Sequence, residues 1–123
     1  MQNAHRILVV DDDKSIRQTL KAGLALHGFS VFETGDCEDA VTMIAMEPAA
    51  YKAVLMEMET EKGLHAAHAI RQIDSKLPIA FMTADDESVL RSTAKRFGSE
   101  IILKPFHSMS ELTDAVKAII GEK

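Results

Sequence analysis

Four places along the chain carry side chains whose chemistry could be pooled. They are the acidic run Asp11-Asp12-Asp13, then Glu57, Thr83 and Lys104. Each directly follows a short apolar segment. Carboxylates brought within about 4 Å of one another repel by roughly 4 kcal/mol per pair at an effective dielectric of about 20. They therefore need a cation or a shared proton. Hard oxygen ligands of this kind suit Mg²⁺, which keeps several waters and takes one or two carboxylates. Lys104 adds a positive charge and Thr83 a hydroxyl donor, both able to hold a phosphoryl oxygen. Together the set could hold a phosphoryl group on a metal, with charge neutralisation as the main stabilising effect. Singly, each has an ordinary explanation: a turn with a helix N-cap for the three aspartates, a common loop dipeptide for Lys104-Pro105, and a solvated acid for Glu57.

The elements that must position these residues are readable from periodicity. Ile7 to Val10 is a short β-branched run, expected to be a strand buried on both faces. Ile16, Leu20 and Leu24 then recur at helical spacing, with Asp13 placed to cap that helix and Gly28 to end it. Ser30 to Phe32 reads as a second strand. Asp36 opens a second helix, with Ala40, Val41, Ile44 and Ala45 expected inward. Ala53 to Met56 is the third strand, and Leu64 to Ile73 a helix with Leu64, Ala67, Ile70 and Ile73 on one face. Pro78 heads a fourth strand, Ile79 to Met82. Asp85 or Asp86 caps a fourth helix carrying Val89, Leu90, Thr93, Ala94 and Phe97, which Gly98 ends. Ile101 to Leu103 is the fifth strand. Ser108 and Glu111 have capping-box spacing, before a last helix with Leu112, Ala115, Val116, Ile119 and Ile120 inward.

Strands alternating with helices imply a parallel sheet with right-handed crossovers and helices on both faces. Ligand chemistry in such doubly wound α/β sheets gathers beyond the carboxyl ends of the strands. The acids, the threonine and the lysine all fall there.

Composition narrows the class. The 123 residues make one ordinary domain, 1–123, with no separate output domain expected. Net charge is −5, against a nucleic-acid surface or an anionic membrane surface. The one cysteine, Cys37, cannot form an intramolecular disulfide, which points to a reducing, cytoplasmic setting. No apolar run approaches the roughly 20 residues that span a bilayer. His65 and His68 lie three apart on one helix, with no third ligand evident, and read as solvated. Met43, Met46, Met56, Met58 and Met82 read for the most part as core filler.

The segments Val9-Val10-Asp11-Asp12, Thr83-Ala84 and Lys104-Pro105-Phe106 resemble the signature of bacterial response-regulator receiver domains. Gly28-Phe29-Ser30-Val31 resembles that family's entry into its second strand. The resemblance runs from about Arg6 to Ile120. It implies a five-stranded parallel sheet of order 2-1-3-4-5, and a domain that takes a phosphoryl group from a sensor histidine kinase onto an aspartate with Mg²⁺ bound. By this resemblance Asp11 and Asp12 form the acidic metal pair, Glu57 occupies the phospho-acceptor position, and the Glu59 carbonyl is a further ligand. Thr83 and Ala84 form the switch, Lys104 senses the phosphoryl group, and Pro105 follows it. A protein partner, either the kinase or a downstream signalling protein, would dock on the face made by the fourth helix, fifth strand and fifth helix. No nucleic acid or membrane is implied, and the domain would be a monomer or a weak homodimer.

The sequence departs from the family in four ways. Glu57 stands where the acceptor aspartate belongs, and one extra C–C bond carries its carboxylate about 1.5 Å further out. Productive transfer tolerates misplacement of only about 0.5–1 Å. Thr60 and Glu61 stand where the family has a proline. Gly63 arrives two residues early, so this loop is short. Ile101 replaces the aromatic switch residue. An atypical receiver is therefore expected: not an enzyme, phosphorylated poorly, and acting by protein contact. Glu57 would either imitate a phosphorylated aspartate by reaching Thr83 or Lys104, or simply pair with Lys104 in a fixed docking module; a pure docking module that uses no metal is an alternative function. A haloacid-dehalogenase-like phosphatase using Asp11 as nucleophile is a further alternative, although no late acidic pair is present for it.

Overall fold

The computed structural model describes residues 5–57, 61–83, 100–103 and 109–121. In chain order these form β1 (Arg6–Val10), α1 (Lys14–Leu26), β2 (Ser30–Thr34), α2 (Cys37–Met46) and β3 (Ala53–Glu57). They continue with α3 (Glu61–Ile73), β4 (Ile79–Thr83), β5 (Glu100–Leu103) and the C-terminal helix α4 (Met109–Ile119). The expected helix between β4 and β5, with Asp85, Asp86 and Gly98, lies outside the described residues. So do Glu59, Ala84, Lys104, Pro105 and Ser108.

All five strands are parallel, in the order β2-β1-β3-β4-β5. Successive side chains of a strand point to opposite faces, so each central strand feeds two cores. Leu8, Val10, Val54, Met56, Ile79 and Phe81 meet Ala40 and Ile44 of α2 and Ala67 and Ile70 of α3. Their neighbours Ile7, Val9, Ala53, Leu55, Ala80 and Met82 meet Leu20 and Leu24 of α1 and Leu112 and Val116 of α4. Both faces being covered explains why these strands are uninterrupted apolar runs.

The helix starts follow from side-chain capping. Asp13 accepts from the Ser15 and Ile16 amides at 2.9 and 3.4 Å, and Asp36 accepts from Glu38 and Asp39 at 2.7 and 3.4 Å. Each satisfies donors that the first helical turn leaves unpaired. After α1 the chain reverses through Gly28 at φ 91°, a left-handed conformation that costs glycine nothing.

Two inward assignments are corrected. Ala45 is exposed: the inner stripe of α2 is Cys37, Ala40 and Ile44, and one further residue rotates about 100° away from it. Ile73 is 37% exposed, because α3 turns its Gly63-Ala66-Ala67-Ile70 stripe to the sheet and ends beyond it. The strand β2 runs two residues beyond its expected end at Phe32, and α3 begins three residues before Leu64. No helix among the described residues is long and apolar enough to cross a membrane.

Candidate functional site

The β1–β3 register pairs Val9 with Leu55 and Val10 with Met56. One step further along that register sets Asp11 beside Glu57, the last residue of β3. Asp11, Asp12 and Glu57 each present a carboxylate oxygen, all within 4.8 Å of one another. Asp11 is 1% and Glu57 7% exposed, whereas Asp12 faces solvent. The third aspartate of the run is not part of the cluster, since the Asp13 carboxylate is taken by the start of α1.

The backbone fixes this geometry. The Asp11 amide donates to the Thr34 carbonyl of β2 at 3.2 Å. The Asp13 amide donates to Asp11 Oδ1 at 3.0 Å. The Asp12 amide donates to Glu57 Oε2 at 3.4 Å. Arg17, one turn into α1, donates from Nη1 to the Asp11 carbonyl oxygen at 2.6 Å and from Nε to Glu33 at 3.0 Å. Gly63 lies against the backbone of Glu57. A Cβ on it would collide with the Glu57 carbonyl oxygen, so only glycine lets α3 start so soon after β3.

Electrostatics follow from crowding. The Glu57 pKa is raised from 4.5 to about 7, first by burial, then by hydrogen bonding to and charge on Asp11, and by the Asp12 side chain. The Asp12 amide opposes this. Sharing a proton is one solution to three adjacent carboxylates, and a divalent cation is the other. The neighbouring Cys37 thiol is also pushed up, mainly by burial and then by the Glu57 charge. It is a buried residue at the head of α2.

The donor set fits Mg²⁺: hard anionic oxygens, close together, one of them open to solvent where the ion's waters must sit. Asp11, Asp12 and Glu57 would hold it. Bound there, the ion would neutralise the cluster and the charge on a phosphoryl group. Thr83 is buried at the end of β4, where its predecessor Met82 pairs with Glu57. Ile101 lies in β5 opposite Phe81. The structure thus gathers Asp11, Asp12 and Glu57 and places Thr83 at the end of the next strand. Glu59, Ala84, Lys104 and Pro105 fall outside the described residues. Sequence reasoning missed Arg17. Its one signal is a cation one helical turn after the acidic run.

A doubly wound parallel domain with an acidic cluster beyond the ends of β1 and β3 belongs to the class of α/β modules whose ligand chemistry gathers at the carboxyl ends of the strands. Within that class the chain belongs to the response regulator receiver domain family, whose model matches residues 7–117. It is the receiver domain of two-component signalling. It is 33% identical over 116 residues to the response regulator MprA of Mycobacterium avium, covering 94% of this chain and 50% of that protein. The chain thus spans about half the length of the curated relatives it matches. Among solved structures it is similar to a response regulator from Thermotoga maritima. The TM-score is 0.86 at 26% identity, over 97% of this chain and 99% of that one. A two-component response regulator from Clostridium difficile gives a TM-score of 0.83 at 28% identity, over 95% and 96% of the two chains. These relatives lend no support to the dehalogenase-like phosphatase alternative.

Proposed function

We propose that this receiver domain signals by protein contact, in a state that ordinary phosphotransfer does not set. One observation carries the reading. The residue at the acceptor position is Glu57, and the contacts described for its carboxylate are to Asp11 and Asp12. These contacts make the Glu57 carboxylate part of the acidic cluster, which supports a receiver that holds a cation there. With Mg²⁺ held by Asp11, Asp12, Glu57 and the Glu59 carbonyl, Thr83, Ala84, Ile101, Lys104 and Pro105 would keep the family's switch positions without its aromatic residue. The domain is then a cytoplasmic signalling module and not an enzyme. A sensor kinase or a downstream signalling protein would dock on the β5–α4 face and the segment that joins β4 to β5, with no direct nucleic-acid or membrane contact.

The test is incubation with Mg²⁺ and acetyl phosphate followed by intact mass measurement, with Glu57→Asp alongside. The expected outcome is one added phosphoryl group in the variant and none in the native protein. A phosphorylated native protein would sink the reading. Gain in neither would instead favour a docking module whose short loop has lost the site.

A further inference from the structure

We infer that Arg17 is a positioning residue for the acidic cluster, acting through the peptide unit between Asp11 and Asp12. The inference rests on reading that cluster as a cation site.

A peptide unit is planar, so fixing its carbonyl also fixes the direction of its N–H. The Asp11–Asp12 unit is held at both ends. Its carbonyl oxygen accepts from Arg17 Nη1 at 2.6 Å, and its N–H, on Asp12, donates to Glu57 Oε2 at 3.4 Å. A guanidinium on the carbonyl is a charge-assisted hydrogen bond, stronger than a neutral one, and hydrogen bonds in series polarise one another. Arg17 thereby aims the Asp12 amide at Glu57 and fixes the Cα from which the solvent-facing Asp12 carboxylate projects.

The rest of the local structure serves that contact. Nε of Arg17 is anchored on Glu33 at 3.0 Å, and Lys21 pairs with the same carboxylate at 3.8 Å. Gly35, just past β2, leaves the guanidinium its path: a Cβ there would stand 2.9 Å from Arg17 Nη1 and 3.6 Å from the Asp11 carbonyl oxygen. One arginine thus joins α1, the end of β2 and the metal-facing turn. Lysine is no substitute, because a single ammonium lacks the fork that spans Glu33 and the Asp11 carbonyl together. Outer partners of ligating groups commonly govern metal affinity by about 10–100-fold, and a similar scale is expected here.

The experiment compares native protein, Arg17→Ala, Arg17→Lys and Glu33→Gln. Mg²⁺ affinity is measured by titration, and the Asp12 amide proton is followed by NMR in metal-free protein. Loss of affinity of about tenfold in Arg17→Ala, a smaller loss in Arg17→Lys, and an upfield move of the Asp12 amide in both are expected. Glu33→Gln removes the charge of the anchor but keeps an oxygen that can accept from Arg17 Nε, so its loss should be smaller than that of Arg17→Ala on both readouts. Native affinity and an unmoved Asp12 amide in folded Arg17 variants would overturn the inference, as would a Glu33→Gln loss equal to that of Arg17→Ala. Should Arg17→Ala not fold, Arg17→Lys decides. Should native protein bind no Mg²⁺, the cation reading fails by itself, and the Asp12 amide still reports on Arg17.

Discussion

The two ends of the sheet treat charge in opposite ways. At the amino end, the Arg6 guanidinium lies 4.4 Å from the Phe32 ring centre and 5.5 Å from that of Tyr51, and it pairs with Glu47 at 3.1 Å. The two rings meet edge to face at 6.1 Å. Here one charge has several favourable partners and a surface position. At the carboxyl end three carboxylates present oxygens within 4.8 Å of one another, two of them buried, and Glu57 is left half-protonated near neutrality. The first arrangement stabilises the fold modestly. The second costs stability and persists where a ligand can relieve it. The contrast marks the carboxyl end as the candidate functional site without reference to any relative.

The largest effect that could break this contrast is on Glu57. Its folded pKa, about 7, is raised above the ordinary 4.5. The native state therefore holds that proton more tightly than the unfolded chain does. Its contribution is fully present below about pH 4.5 and is lost as pH rises through 7. Glu57→Gln should remove this loss. The variant is expected to match native stability near pH 4 and to exceed it by on the order of 2–3 kcal/mol at pH 8, measured by urea unfolding. Equal stability at pH 8 would mean that the cluster is not under charge stress.

Next in size is Gly63→Ala, where the new methyl meets the backbone of Glu57 and not a side chain that can swing away. A loss of about 2 kcal/mol is expected, read as a fall in Tm of several degrees. An unchanged Tm would show that α3 can slide off the acceptor strand. The smallest effect belongs to the amino end. Arg6→Ala should cost about 1 kcal/mol, through lost stacking and pairing, read by urea unfolding. A cost as large as the gain from Glu57→Gln would erase the distinction between the two ends.

Much of this was legible in the sequence, for identifiable reasons. An apolar run such as Ala53 to Met56 could only be buried on both faces. Asp13, Asp36 and Gly28 announced helix ends by chemistry that acts within a few residues. Ala45 was misplaced because alanine fits either face of a helix, and only packing shows which. Asp11, Asp12 and Glu57 were identified by standing at strand ends. The burial of Glu57 was not readable, since an acid in that position is usually solvated. Arg17 escaped notice because its contact exists only after β1, α1 and Gly35 have been assembled in space.

The pairing of β1 with β3 has a kinetic consequence. All of α1, β2 and α2 intervene between the two strands, so Asp11 and Glu57 meet only after a long loop has closed. Early in folding their repulsion is screened by water, and it is felt only once the two strands dock. The gain from Glu57→Gln at pH 8 will therefore divide between faster folding and slower unfolding according to how completely β1 and β3 have docked at the barrier. The acidic cluster thus doubles as an internal clock hand for the assembly of the sheet's centre.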